Sequence, residues 1–210
     1  MNRLIITPHA GPVARVTPTE LWTPGGRGRR AGIDRVSFRY DPVQGPVWEA
    51  QRPQVNAVAD KWLIYDSFKE YGYDGTVDLD TDTIKCALFL STSNAATLTH
   101  DEFGDLTNEH AAGFGYTAGG DNLVSPTWVR SGAVTTFDAD DPVWSASGGS
   151  IICRFAVIYV NVTRNGVTDP LMGYSLLDNT PANVTATDGN NLSLTLDANG
   201  IFDLSGGDTV

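Results

Sequence analysis

The stretch IICRFAVIYV, residues 151–160, decides the fold. It is almost continuously apolar and rich in β-branched and aromatic side chains, with Arg154 as its one charge. A short run without polar alternation reads as a strand buried on both faces, at the middle of a sheet. Outward from it the chain repeats strand-like segments at 76–80, 84–90, 124–130, 133–138, 171–177, 191–196 and 201–204. Clusters of Gly, Asn, Asp and Pro separate them. In the last but one, Leu192, Leu194 and Leu196 face one way, and Ser193 and Thr195 the other. Eight such strands without an internal repeat predict an all-β fold, a β-sandwich or jelly roll. One helix is expected ahead of them, over VADKWLIYDSFKEY (58–71), where Val58, Trp62, Tyr65 and Phe68, with Leu63, form an apolar stripe and Gly72 is a stop. A short helical turn is expected at 99–104, where Thr99 and Glu102 have capping-box spacing.

The 210 residues suit one domain of β-sandwich type, or one smaller domain plus an extension. Charged residues are only 19%, and Lys appears three times, at Lys61, Lys69 and Lys85, which disfavours long helices with charged faces. The net charge of −11 argues against a nucleic-acid binder. That charge is unevenly spread. Residues 1–56 carry eight Arg against Glu20, Asp34, Asp41 and Glu49, a net +4, and the remainder carries six basic and 21 acidic groups, a net −15. Cys86 and Cys153 sit in apolar runs and are expected as buried free thiols. The apolar run of the N-terminus, MNRLIITPHAGP, is interrupted by Pro8 and lacks the stretch of a signal peptide, and no window is long and apolar enough to span a membrane. The expectation is a soluble chain made in a cytoplasm, with no membrane partner.

Composition shifts near residue 56, where seven of eleven prolines have passed. The chain therefore reads as an extended basic Pro/Gly/Arg-rich arm, 1–56, followed by an all-β module, 57–210. The arm contains a basic loop, TPGGRGRRAG (23–32), and apolar side chains that are costly to leave in water: Leu21, Trp22, Val36, Phe38, Tyr40, Val47 and Trp48. Alternation over Val36, Phe38 and Tyr40 predicts a short strand. An arm with aromatics and no core of its own lays them on something else, so Trp22, Arg27, Arg29, Arg30, Phe38, Tyr40 and Trp48 are taken as its partner-binding residues.

Residues that could carry chemistry do not assemble into a site. His100 and His110 stand ten apart, and His9 lies in the arm, which fits no metal spacing. Asp78, Asp80 and Asp82 imitate the first ligands of a calcium loop, but the sixth position is Thr83 and the twelfth Phe89. Strand geometry would instead set the three carboxylates on one solvated face. Asp138, Asp140 and Asp141 precede Pro142 and read as a turn. No nucleophile elbow, phosphate loop or Cys–His pairing is present. The reading is a chain that is not an enzyme, with no catalytic residues, cofactor or metal.

From Lys61 onward the sequence resembles a family of tailed-bacteriophage virion structural proteins. The resemblance is carried by KWLIYDSFKE (61–70), DGTVDLDTDTIKCALFLSTSNAATLT (74–99), LTNE (106–109), GYTAGG (115–120), FDADDPVWSASGGSI (137–151), RFAVIY (154–159) and YSLLDNTPANVTATDGN (174–190). It implies a structural virion role and brings no catalytic residues; the arm lies outside it. The expected function is capsid decoration: a cement protein on the capsid surface, made in the bacterial host cytoplasm, that binds between subunits of the major capsid protein through its arm. A homo-oligomer, with a trimer favoured, is the natural arrangement. The alternative is a head-fibre, tail or connector component that binds a receptor or another tail protein.

Overall fold

The structure is a computed structural model. It describes residues 61–177 and 183–205, and outside them the backbone of four strands and the buried position of Ala57. In chain order the elements are β1 (Arg15–Val16), β2 (Val36–Asp41), β3 (Gly45–Ala50), β4 (Gln54–Val58), β5 (Leu63–Ile64), α1 (Phe68–Asp74), β6 (Ile84–Phe89), β7 (Asp121–Asn122), β8 (Thr127–Ser131) and β9 (Val134–Asp138). They continue with β10 (Val143–Ser145), β11 (Ile151–Cys153), β12 (Phe155–Val160), β13 (Thr163–Arg164), β14 (Val167–Thr168), β15 (Leu171–Leu176), β16 (Val184–Ala186), β17 (Asn191–Thr195) and β18 (Phe202–Ser205). The fold is all-β with one α-helix among the described residues.

The chain divides into two compact units, Met1–Pro53 and Gln54–Val210. In the first, β1, β2 and β3 form an antiparallel sheet in that order, with Val16 opposite Val36 and Phe38 opposite Trp48. The strand expected over Val36, Phe38 and Tyr40 is thus β2. In the second unit, β4 lies across residue 56 and pairs in parallel with β17.

The second unit is built around a five-stranded antiparallel sheet of order β5-β15-β12-β6-β7. The central strand is β12, buried along its whole length. Its side chains divide between two cores: Ala156, Ile158 and Val160 join one, and Phe155, Val157 and Tyr159 the other. The first core is the larger. It takes in Trp144, Leu192 and Leu194 from the β10-β17-β4 sheet, Ile151, Cys153 and Ala186 from the β11-β16 pair, and Phe137 from β9. The second is closed by Tyr65 and Ala95, with Leu98, Phe103 and Leu106 packed on it.

The run 151–160 is not one strand. Arg154 interrupts it, its N–H donating to Phe89 O at 2.7 Å and its carbonyl accepting from Leu177 N at 2.9 Å. The chain changes sheets there: β11 pairs with β16, and β12 with β6 and β15.

Three local expectations are corrected. The helix is Phe68–Asp74 rather than 58–71, and its left-handed cap is Gly75 (φ 83°) rather than Gly72. Val58 belongs to β4, while Leu63 and Ile64 pair with Tyr174 and Gly173 of β15. Tyr65 N–H then donates to Met172 O at 3.1 Å and Asp66 N–H to Leu98 O at 3.0 Å. The sheet edge satisfies these amides before a helix can, and the apolar stripe is a core stripe in either conformation.

Residues 76–80 form turns rather than a strand. Asp74 Oδ1 accepts from Thr76 N–H, and Asp78 Oδ1 from Asp80 N–H, so these side chains compete with ladder bonds. The short helical turn is a 3-10 turn at Phe103–Asp105, capped reciprocally by Glu102 and Asp105 rather than by Thr99 and Glu102. Asp105 Oδ2 takes both the Asp101 and the Glu102 N–H at 3.1 Å, which fixes the turn three residues later than the Thr99 reading.

Candidate docking cleft

Gln54–Val210 carries a cleft of about 900 Å³. Its floor is aromatic. Phe202 of β18 meets Phe68 of α1 edge-on at 5.6 Å, and lies 5.8 Å from the Trp128 ring of β8. Behind Phe202, the buried ring of Phe137 stacks on it at 5.4 Å. Cross-strand register makes this arrangement. Phe137 of β9 stands opposite both Phe202 and Trp128, so three rings form one row across the β18-β9-β8 sheet. Ile64, Val77 and Leu79 add aliphatic wall. At the rim Tyr73 is 81% exposed and Leu204 44%. These exposed apolar side chains adjoin the half-buried rings of Phe202 and Trp128, so the apolar surface continues from the rim into the cleft.

The opposite wall is the turn after α1. Arg164 of β13 holds it. Its guanidinium bridges both carboxylate oxygens of Asp82, at 2.8 and 2.9 Å, and donates to Thr76 O at 3.0 Å. Asp82 is only 8% exposed, and its other contact is the Asp78 N–H. The Arg164 hydrogen bond holds the Asp82 carboxyl below the usual carboxylate range despite burial. Arg164 is aimed by a two-residue hairpin, Asn165–Gly166, both with positive φ, which joins β13 to β14. Sequence reading passed over this clamp; the Asn-Gly dipeptide between two short strands was the signal for it.

Charge on the cleft is one-sided. Both cations are already paired, Lys69 with Asp66 at 3.5 Å and Arg164 with Asp82. Asp78, Asp80 and Asp203 have no ion pair among the described residues. The cleft is therefore apolar at its base and negative at its edge.

The residues singled out from sequence are distributed otherwise. Trp22, Arg27, Arg29 and Arg30 lie outside the described residues, as does His9. Phe38 and Tyr40 fall on β2 and Trp48 on β3. His100 Nε2 meets Asn94 Nδ2 at 2.9 Å, while His110 is buried beside the Tyr116 ring at 5.2 Å. Among the described residues no three His, Cys, Asp or Glu side chains are grouped to hold a metal ion. Asp78, Asp80 and Asp82 share no solvated strand face: their turn ties Asp82 to Arg164 and leaves Asp78 and Asp80 outside. Asp138 Oδ1 caps Ala139 N–H, and Asp141 Oδ1 accepts from Leu196 N–H at 2.9 Å. Cys86 and Cys153 are both buried free thiols, and burial raises both, Cys153 to about 12.

No family model, curated protein or solved structure matches this chain.

Proposed function

We propose that this protein is a structural component of a bacteriophage virion, a decoration protein that stabilises the head by binding between subunits of the major capsid protein. The observation that carries this reading is the cleft: a half-buried aromatic floor edged by carboxylates without an ion pair among the described residues, in a chain whose first 56 residues are basic and include Trp22, Phe38, Tyr40 and Trp48. Such a surface is suited to gripping another polypeptide. Its polar side chains support binding more than catalysis, because Asp82 is committed to Arg164 and Asp78 Oδ1 to a backbone N–H. The resemblance from Lys61 to Asn190 supplies the virion context, and the basic arm supplies a segment able to lie in a groove between capsid subunits and add avidity.

The test is cryo-EM of the intact particle. Density for this chain at many lattice points of the shell is the expected result. Density confined to the tail or the portal vertex overturns decoration and favours a head-fibre, tail or connector component. Particles assembled without the chain are expected to lose resistance to heat and salt.

A further inference from the structure

We propose that the cleft receives residues 17–35 of a second copy of this chain, with Trp22 seated on the Phe202 and Trp128 rings and Arg27, Arg29 and Arg30 set against Asp78, Asp80 and Asp203. The inference rests on reading the cleft as a docking surface and names its occupant.

Three observations support it. The first is the spacing of the strands in the first unit. β1 and β2 are neighbours, with Val16 opposite Val36, yet residues 17–35 separate them. Adjacent antiparallel strands are ordinarily joined by about two to five residues. A chain of this length, held at both ends, has a maximum reach of roughly 30 Å, about the width of a small domain. It can therefore cross into a neighbouring subunit.

The second observation is charge. The stretch TPGGRGRRAG (23–32) carries three Arg and no acid, while the cleft edge carries three carboxylates without a cationic partner among the described residues. Guanidinium groups match carboxylates in fork geometry and tolerate partial desolvation.

The third is shape chemistry. Trp22 is the aromatic residue of 17–35, and tryptophan is the side chain that most often anchors a contact by filling an apolar pocket. The cleft offers it two aromatic rings at 5.8 Å from one another and a volume of about 900 Å³.

The contact joins two different surfaces, so each copy can donate one segment and accept one.

The test uses the full chain, purified, with no capsid present, so it is decided independently of where the protein sits in a virion. The chain is prepared in natural-abundance and heavy-nitrogen forms, each carrying Tyr73→p-benzoylphenylalanine, then mixed and irradiated. Cross-linked peptides that join the cleft of one isotopic form to residues 17–35 of the other are expected. Cross-links found only within one isotopic form, or only to other segments, overturn the proposal. A second measurement is sedimentation velocity of charge reversals. Asp80→Lys with Asp203→Lys, and separately Arg27→Glu with Arg29→Glu and Arg30→Glu, are each expected to weaken self-association at least about tenfold. All five reversals together are expected to restore it. Asp80 and Asp203 are exposed, so the cleft variant keeps its fold, which near-ultraviolet circular dichroism checks. Unchanged association in both single-sided variants, or a parent chain that sediments as a monomer, sinks the idea.

Discussion

Arg164 and Asp82 decide the shape of the cleft wall, because one bidentate ion pair ties the turn after α1 to the β13–β14 hairpin. The Asp82 carboxyl titrates below its ordinary value, so its contribution is complete at neutral pH and is lost as pH falls through that lowered value. Asp82→Asn is expected to lower the urea midpoint at pH 7 and to remove part of the acid-induced loss below about pH 4, where the parent chain also loses the pair. Equilibrium urea titrations at the two pH values measure it.

His110 titrates in a different window. It is buried, its Nε2 has no partner among the described residues, and burial, opposed only in part by Glu109, lowers its pKa from 6.5. The neutral ring is accommodated above that value. Below it the unfolded chain takes up the proton first, so stability declines as pH falls from about 6.5 through the folded value. His110→Phe, which keeps a ring against Tyr116, is expected to flatten melting temperature between about pH 6.5 and 5. A slope equal to the parent's would remove His110 as the cause. None of this was readable from sequence: the histidine is visible there, but its burial depends on Leu88, whose carbonyl accepts the His110 N–H at 2.8 Å from a distant strand.

At the scale of elements, the loop before β7 is pressed onto the sheet. Glu109 accepts from Tyr116 Oη at 2.7 Å and from Gly119 N–H at 2.5 Å, while Tyr159 Oη donates to Gly119 O at 2.8 Å. Gly120, at φ 70°, follows directly against β6. A Cβ there would lie 2.0 Å from Cys86 O and 2.6 Å from Ala87 Cα, both backbone atoms that cannot move aside. Gly120→Ala is expected to cost about 3 kcal/mol or more, read from denaturant midpoints.

Strand positions were largely legible, because β6, β12, β15 and β17 each bury enough of their length to leave an apolar or alternating record. The helix was legible in type and misplaced in extent. Trp62 and Tyr65 are core residues whether their backbone is helix or extended, so periodicity alone could not find the switch. The sheet change at Arg154 left only one polar residue as a trace.

For the whole molecule, the core and the cleft share Phe68 and Val77, but each also has residues of its own. Ile158 is buried at the centre of the middle strand, and Ile158→Ala is expected to cost about 2–5 kcal/mol. Leu204 is exposed on the cleft wall, and Leu204→Ser is expected to shift stability by less than about 0.5 kcal/mol while weakening self-association. Thermal melts and sedimentation together separate the two effects. The unequal charge of the two parts of the chain was legible from composition alone. The cleft was not, since its floor is drawn from α1, β8 and β18, which lie far apart in sequence: β8 and β18 meet through the register of β9, and α1 joins them through Phe68 against Phe202.

Arg154 has a further consequence. Because β11 and β12 are one stretch of chain serving two sheets, neither sheet can open while the other stays shut without tearing the peptide between Cys153 and Phe155 from its neighbours. Native-state hydrogen exchange should therefore find the paired amides of β12 and of β11, in separate sheets, released by one common opening whose free energy equals that of global unfolding.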